Sequence, residues 1–203
     1  MTYLYKFLFI GRSNVGKSSL INALLERTNN KLCRKSRTAG ATKTLNFYGP
    51  NAPSTVNKHF HLVDAPGYGN RGRPEWGQLI SEYMSNRPTL RRVFVLIATP
   101  HGIADSDRTM LTDLDALTMT SYADRDRVHP FSYQVVLTKA DLAMPTTTVA
   151  DYAAQIAKIA PTCMPNPILT SASLNAPVSE TDSTGKFGMD QLRRCIAEAG
   201  GFL

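Results

Sequence analysis

Gly11, Gly16, Lys17 and Ser18 stand in the run Gly11-Arg12-Ser13-Asn14-Val15-Gly16-Lys17-Ser18, which fits G-x-x-x-x-G-K-[ST] at every fixed position. Residues of these types at this spacing suit phosphate. The glycines let backbone N–H groups turn inward around phosphate oxygens, and a following helix adds the positive end of its dipole. Lys17 then lies beside the β- and γ-phosphates, and the Ser18 hydroxyl is a ligand for Mg²⁺. Gly11 opens the turn. Ser13, Asn14, Val15, Gly16, Lys17, Ser18 and Ser19 form the candidate phosphate-contacting run.

Further motifs follow in order, each after an apolar run. Asp64-Ala65-Pro66-Gly67 succeeds His59-Phe60-His61-Leu62-Val63. Asp64 is placed to hold Mg²⁺, through a water, as a Walker-B carboxylate. Gly67 lacks a Cβ, so its N–H can approach a γ-phosphate closely. The stretch Tyr68 to Pro74, rich in Gly and Arg without periodicity, reads as a loop that hydrolysis would release. Thr138-Lys139-Ala140-Asp141 succeeds Tyr133 to Leu137 and selects the base. The Asp141 carboxylate can accept from guanine N1–H and N2–H₂; adenine lacks that donor pair. The Lys139 stem packs along the purine plane. Ser171-Ala172-Ser173 completes the pocket, with the Ala172 N–H facing guanine O6.

These motifs need elements that bring them to one edge. Pattern reading predicts strands near 3–10, 43–48, 58–63, 92–98, 133–138 and 167–170, and helices near 17–27, 76–86, 106–118, 147–160 and 189–199. Leu20, Ile21, Leu24 and Leu25 mark one apolar helix face; Met189, Leu192 and Ile196 mark another. Strands alternating with helices predict an α/β fold with a mostly parallel sheet covered on both faces. Ligands bind such sheets beyond the strands' C-terminal ends, where each motif falls.

At these residues the chain resembles the translational GTPase superclass (the TrmE-Era-EngA-YihA-septin-like group), and within it the EngB type, also called YihA or YsxC. The marks are residues 11–19, Leu20 to Leu24, Asn46-Phe47-Tyr48, Asp64-Ala65-Pro66-Gly67-Tyr68-Gly69, His101-Gly102-Ile103 with Asp107, and Thr138 to Asp141. The resemblance implies a P-loop NTPase of Ras-like G-domain type, one domain over residues 1–203, whose six-stranded sheet has an antiparallel second strand at one edge. It implies GTP and GDP as ligands, Mg²⁺ as cofactor, and a switch role in assembling the large ribosomal subunit. In the first switch the family reads Pro-Gly-Lys-Thr-Gln; this chain reads Ala39-Gly40-Ala41-Thr42-Lys43. Thr42 keeps the place of the Mg²⁺-binding switch threonine, with Thr38 and Thr44 as rivals. Tyr68 stands where Ras-type enzymes carry a water-orienting glutamine, which implies slow intrinsic hydrolysis aided by a partner or an ion. Asn14 either holds K⁺ near the β/γ-bridge, as in related GTPases, or caps backbone in the loop. Lys17, Thr42, Gly67 and Asn14 are therefore the candidate catalytic set.

Bulk composition sets outer bounds. The chain has 203 residues, 42% of them hydrophobic, a length and balance that fit one globular domain. No apolar stretch approaches the roughly 20 residues that span a bilayer. Lys and Arg exceed Asp and Glu by 23 to 16, for a formal charge of +7. That favours a polyanionic partner, here the large ribosomal subunit or its rRNA. Lys31, Arg34, Lys35, Arg37 and Lys43 crowd the first switch, and Arg71 and Arg73 the second. Cys33, Cys163 and Cys195 show no metal spacing and read as reduced thiols of an intracellular protein. A monomer is expected. The opening residues run almost directly into the first strand without a signal or transit pattern, as in a trimmed or shortened chain. Gly49 to Asn57 and Thr118 to Pro130 read as insertions. With the altered first switch they favour a mitochondrial matrix protein over a bacterial cytoplasmic one. The rival functions are a GTP-sensing module with negligible turnover, a switch for a membrane or tRNA-modification partner, and a P-loop kinase, for which neither acceptor pocket nor lid is evident.

Overall fold

The computed structural model describes residues 4–25, 44–49, 60–68, 74–124, 130–142, 147–173 and 186–203. Six strands run in chain order: β1 (Tyr5–Gly11), β2 (Asn46–Tyr48), β3 (Phe60–Asp64), β4 (Leu90–Ala98), β5 (Ser132–Thr138) and β6 (Ile168–Leu169). Five helices lie among the described residues: α1 (Lys17–Leu24), α2 (Pro74–Ser85), α3 (Asp105–Ala123), α4 (Val149–Ile159) and α5 (Met189–Gly200). The strands form one sheet in the order β2-β3-β1-β4-β5-β6. Only β2 runs antiparallel; the other pairings are parallel. The mostly parallel α/β sheet and its antiparallel edge strand are as expected from the sequence.

The pleat sends successive residues to opposite faces. Along β1, Leu8 and Ile10 join one buried layer and Phe7 and Phe9 the other; along β4, Val93, Val95 and Ile97 oppose Phe94, Leu96 and Ala98. The first layer meets α2, α3 and α4 through residues such as Ile80, Leu111 and Ile156. The second meets α1 and α5 through Leu20, Ile21, Leu192 and Ile196. Both faces are thus covered, which is why the central strands read as near-continuous apolar runs.

Helix α3 extends to Ala123, five residues past its expected end at 118, so Thr118 to Ala123 is helix rather than the start of an insertion. Its last turns are rich in Thr, Ser and Met, a composition that obscures the helical period. There the Thr120 hydroxyl donates to the Ala116 carbonyl, and the buried Ser121 hydroxyl accepts from Phe131 N–H, tying the helix end to the start of β5. Lys186, expected in an exposed loop, is buried beside the bridge between Ser171 and Phe187. Thr42, Thr38, Cys33, Gly69, the segment 50–57 and the basic residues of both expected switches lie outside the described residues.

One polar tie holds the α3 face to the sheet. Asp115 Oδ1 accepts from Thr162 N–H (2.8 Å), the Thr162 hydroxyl (2.6 Å) and the Tyr133 hydroxyl (2.8 Å). Burial pushes this carboxyl up, but the bonds from Thr162 and Tyr133 outweigh it and hold the group below its ordinary range. A depressed carboxyl stabilises the fold above its unfolded value and loses that contribution as pH falls through the folded value. Asp115→Ala should therefore cost about 1–2 kcal/mol at neutral pH, discounted for partial exposure. In urea unfolding, the gap from the unsubstituted protein should close below about pH 4.

Candidate functional site

The loop between β1 and α1 is shaped by two left-handed residues, Asn14 (φ 63°) and Gly16 (φ 110°). Gly16 occupies the N-cap of α1, and no side chain caps that helix end. The first-turn N–H groups are orphans of the helix, so they face outward as an anion cradle. The loop is pinned from below. Thr138, the last residue of β5, donates its hydroxyl to the Val15 carbonyl (2.7 Å), and Lys17 Nζ folds back to the Gly11 carbonyl (3.3 Å).

Lys17 and Asp64 are both buried here. Burial lowers the Lys17 pKa, opposed by the nearby Asp64 charge. Burial raises the Asp64 pKa, opposed first by Lys17 and then by the Ser18 hydrogen bond. The Ser18 hydroxyl donates to Asp64 Oδ2 (3.1 Å), while Asp64 Oδ1 is buried without a partner. A hydroxyl beside a carboxylate with an orphaned buried oxygen is a donor set that fits Mg²⁺.

Across the same edge, β5 and β6 contribute the other half. A cavity of about 410 Å³ is bounded by Gly16 and Ser19 on one side and Thr138, Lys139, Asp141 and Ala172 on the other. The Ser171 hydroxyl donates to Asp141 Oδ1 (2.5 Å), fixing the carboxylate, and itself accepts from Ser173 N–H. Ser171 is thus a support for Asp141 as well as a member of the pocket rim. Lys139 has φ 61°, and two tethers hold that turn: Thr99 Oγ1 donates to the Lys139 carbonyl, and Ala140 N–H donates to the Thr170 carbonyl. The Tyr152 hydroxyl in turn donates to the Thr99 carbonyl. Neither Thr99 nor Tyr152 carries a sequence motif; both are found only through their distance from Lys139.

The segment after β3 also reaches the loop. Gly67 packs so closely that a Cβ there would lie 2.8 Å from Ser13 N and Cα. Ser13 N–H donates to the Tyr68 carbonyl (3.2 Å). Tyr68 itself is buried, with its hydroxyl donating to Asp107 Oδ1 (2.9 Å). Burial, then the Asp107 charge, pushes the phenol well above its ordinary value, so it stays a protonated donor. The described residues therefore gather every expected site residue except Thr42 at one sheet edge.

A family model described as a 50S ribosome-binding GTPase matches residues 6–125. A probable GTP-binding protein EngB of Rhodopseudomonas palustris is 41% identical over 196 residues, covering 93% of this chain and 77% of that protein. A protein of the same name from Roseobacter denitrificans is 44% identical over 138 residues, covering 66% of this chain and little more than half, 55%, of that relative. Among solved structures, Era in complex with MgGDPNP and nucleotides 1506–1542 of 16S ribosomal RNA has TM-score 0.66 and 19% identity. That match covers 98% of this chain and 57% of Era, and at this identity it supports the fold alone.

The Thr138 bond joins the two halves of the cavity, and this gives a direct test. In Thr138→Val the buried Val15 carbonyl loses its short bond, at a cost of about 1–3 kcal/mol. Guanine-nucleotide affinity, read by fluorescent titration, should fall about tenfold because the loop loses its support.

Proposed function

The chain belongs to the EngB family of GTP-binding proteins, and from that membership we propose that this site works as a Mg²⁺-dependent switch on an assembling large ribosomal subunit. Hydrolysis of GTP to GDP and phosphate is the activity of the family. The observation that carries the site reading is the single cavity that joins the uncapped start of α1 to Asp141.

Phosphates sit at the N–H groups of Gly16 to Ser19, with Lys17 released from Gly11 to meet them. Ser18 and Asp64 would hold Mg²⁺, which would supply positive charge against the phosphates. Asp141, oriented by Ser171, takes the guanine edge, and the Ala172 N–H on the cavity wall takes O6. Gly67, packed against Ser13 of the phosphate loop, and Thr42 sense the γ-phosphate. Asn14, left-handed and exposed at the loop crest, supports a K⁺ site that would assist hydrolysis. The Tyr68 hydroxyl is committed to Asp107, so the water-orienting help comes from a partner or that ion.

The described residues hold no helix long and apolar enough to cross a membrane. The net charge of +7 supports an RNA-rich partner, and the matched family description points the same way. The bacterial relatives favour a bacterial cytoplasm, with a mitochondrial matrix as the other setting proposed. A single G domain fits the one sheet that takes in all six described strands, and a monomer is the state proposed.

Three measurements test this reading. Asp141→Asn exchanges a double acceptor for an acceptor and a donor. It should weaken GTP binding by at least about a hundredfold and admit xanthosine triphosphate. Free phosphate should be released from GTP, without transfer to a small acceptor as a kinase would require. Co-sedimentation with large ribosomal subunits should be stronger with a non-hydrolysable GTP analogue than with GDP. Binding indifferent to nucleotide would leave only charge attraction.

A further inference from the structure

Asp107 lies in the first turn of α3, outside the nucleotide cavity, and is 1% exposed. A buried carboxylate needs donors, and it draws them from three separate parts of the chain. The Ala104 N–H caps Oδ2 at 3.0 Å, the Tyr68 hydroxyl bonds Oδ1 at 2.9 Å, and Arg12 Nε stands 3.6 Å from Oδ2. Arg12 belongs to the phosphate loop and Tyr68 follows Gly67 directly. One carboxylate thus joins the loop and the γ-sensing segment to a rigid helix.

The backbone of Tyr68 closes the same joint. Its N–H donates to the Gly11 carbonyl (3.3 Å), and its carbonyl accepts from Ser13 N–H, so residues 12 and 68 form a parallel bridge. The ring packs in the layer shared with Ile80 of α2 and Met110 of α3. Between these fixed points Gly67 has nowhere to move without breaking one of them.

We infer that Asp107 is a positioning residue for the γ-phosphate: through Tyr68 and Arg12 it holds the Gly67 N–H against the phosphate loop before nucleotide arrives. This rests on the guanine-nucleotide reading above. GDP has no γ-phosphate and does not use Gly67, so its affinity does not depend on the clasp. GTP does use it, and pre-ordering the donor spares the ordering cost at binding. The clasp therefore sets the ratio of GTP to GDP affinity. The residue after Gly67 serves this purpose with its hydroxyl, in place of orienting water.

The test uses the full chain, with fluorescent GDP and the fluorescent β,γ-imido analogue of GTP in the presence of Mg²⁺. Tyr68→Phe keeps the ring in its layer and removes only the hydroxyl; Asp107→Asn keeps the shape and removes the charge. Each should weaken the analogue about tenfold relative to GDP, as loss of one charge-assisted hydrogen bond does. The double variant should be no worse than Asp107→Asn alone, because the Tyr68 hydroxyl acts through Asp107. A general loosening of the fold would lower both affinities together, and that result, or an unchanged ratio in Tyr68→Phe, overturns the inference alone. Failure of the unsubstituted protein to bind either nucleotide would overturn the guanine reading and the inference with it.

Discussion

Helix α1 starts on a left-handed glycine with no side chain to satisfy its first N–H groups. An unsatisfied helix end is unfavourable unless water or an anion completes it, and its dipole favours the anion. The rest of the structure can be read as the means of holding that end open and in place. Strand β1 brings the loop to the sheet edge, Thr138 braces it from β5, and the bridge to Tyr68 braces it from β3. Because α1 is buried along Leu20, Ile21 and Leu24, the orphan groups cannot relax into another arrangement without opening the core.

Charge is arranged in the same spirit. Lys17 and Asp64 are each pushed toward neutrality by burial, and the charge of each opposes that shift in the other. Such a pair gives little net stability on its own, since desolvation offsets attraction. A phosphate near Lys17 and a cation near Asp64 Oδ1 would relieve both. The site is therefore a place where the protein is less comfortable empty than filled, which is how ligand binding becomes fold stability.

Much of this was legible because it is local. The phosphate loop, Asp64 with Gly67, and Thr138 to Asp141 are short runs whose chemistry follows from residue type, and parallel strands bring their ends to one edge. The burial of β1 and β4 on both faces likewise follows from their near-continuous apolar runs. What sequence did not reveal joins residues far apart. Tyr68 and Asp107 are 39 positions apart, and Tyr152 reaches Thr99 over 53. Asp107 was visible as a family mark without a task; only its three donors give it one. The end of α3 was misread because Thr, Ser and Met carry a weak helical period, and tertiary ties to Phe131 outweighed propensity there. Thr42, named from its place in the first switch, lies outside the described residues.

Amide hydrogen exchange across the loop tests most directly the claim that the open end of α1 anchors the ligand. Exchange at Gly16 to Ser19 should slow markedly when GDP and Mg²⁺ are added, and should change little with guanosine, which carries the base without the phosphates. Equal protection by guanosine, or none by GDP, would contradict the account.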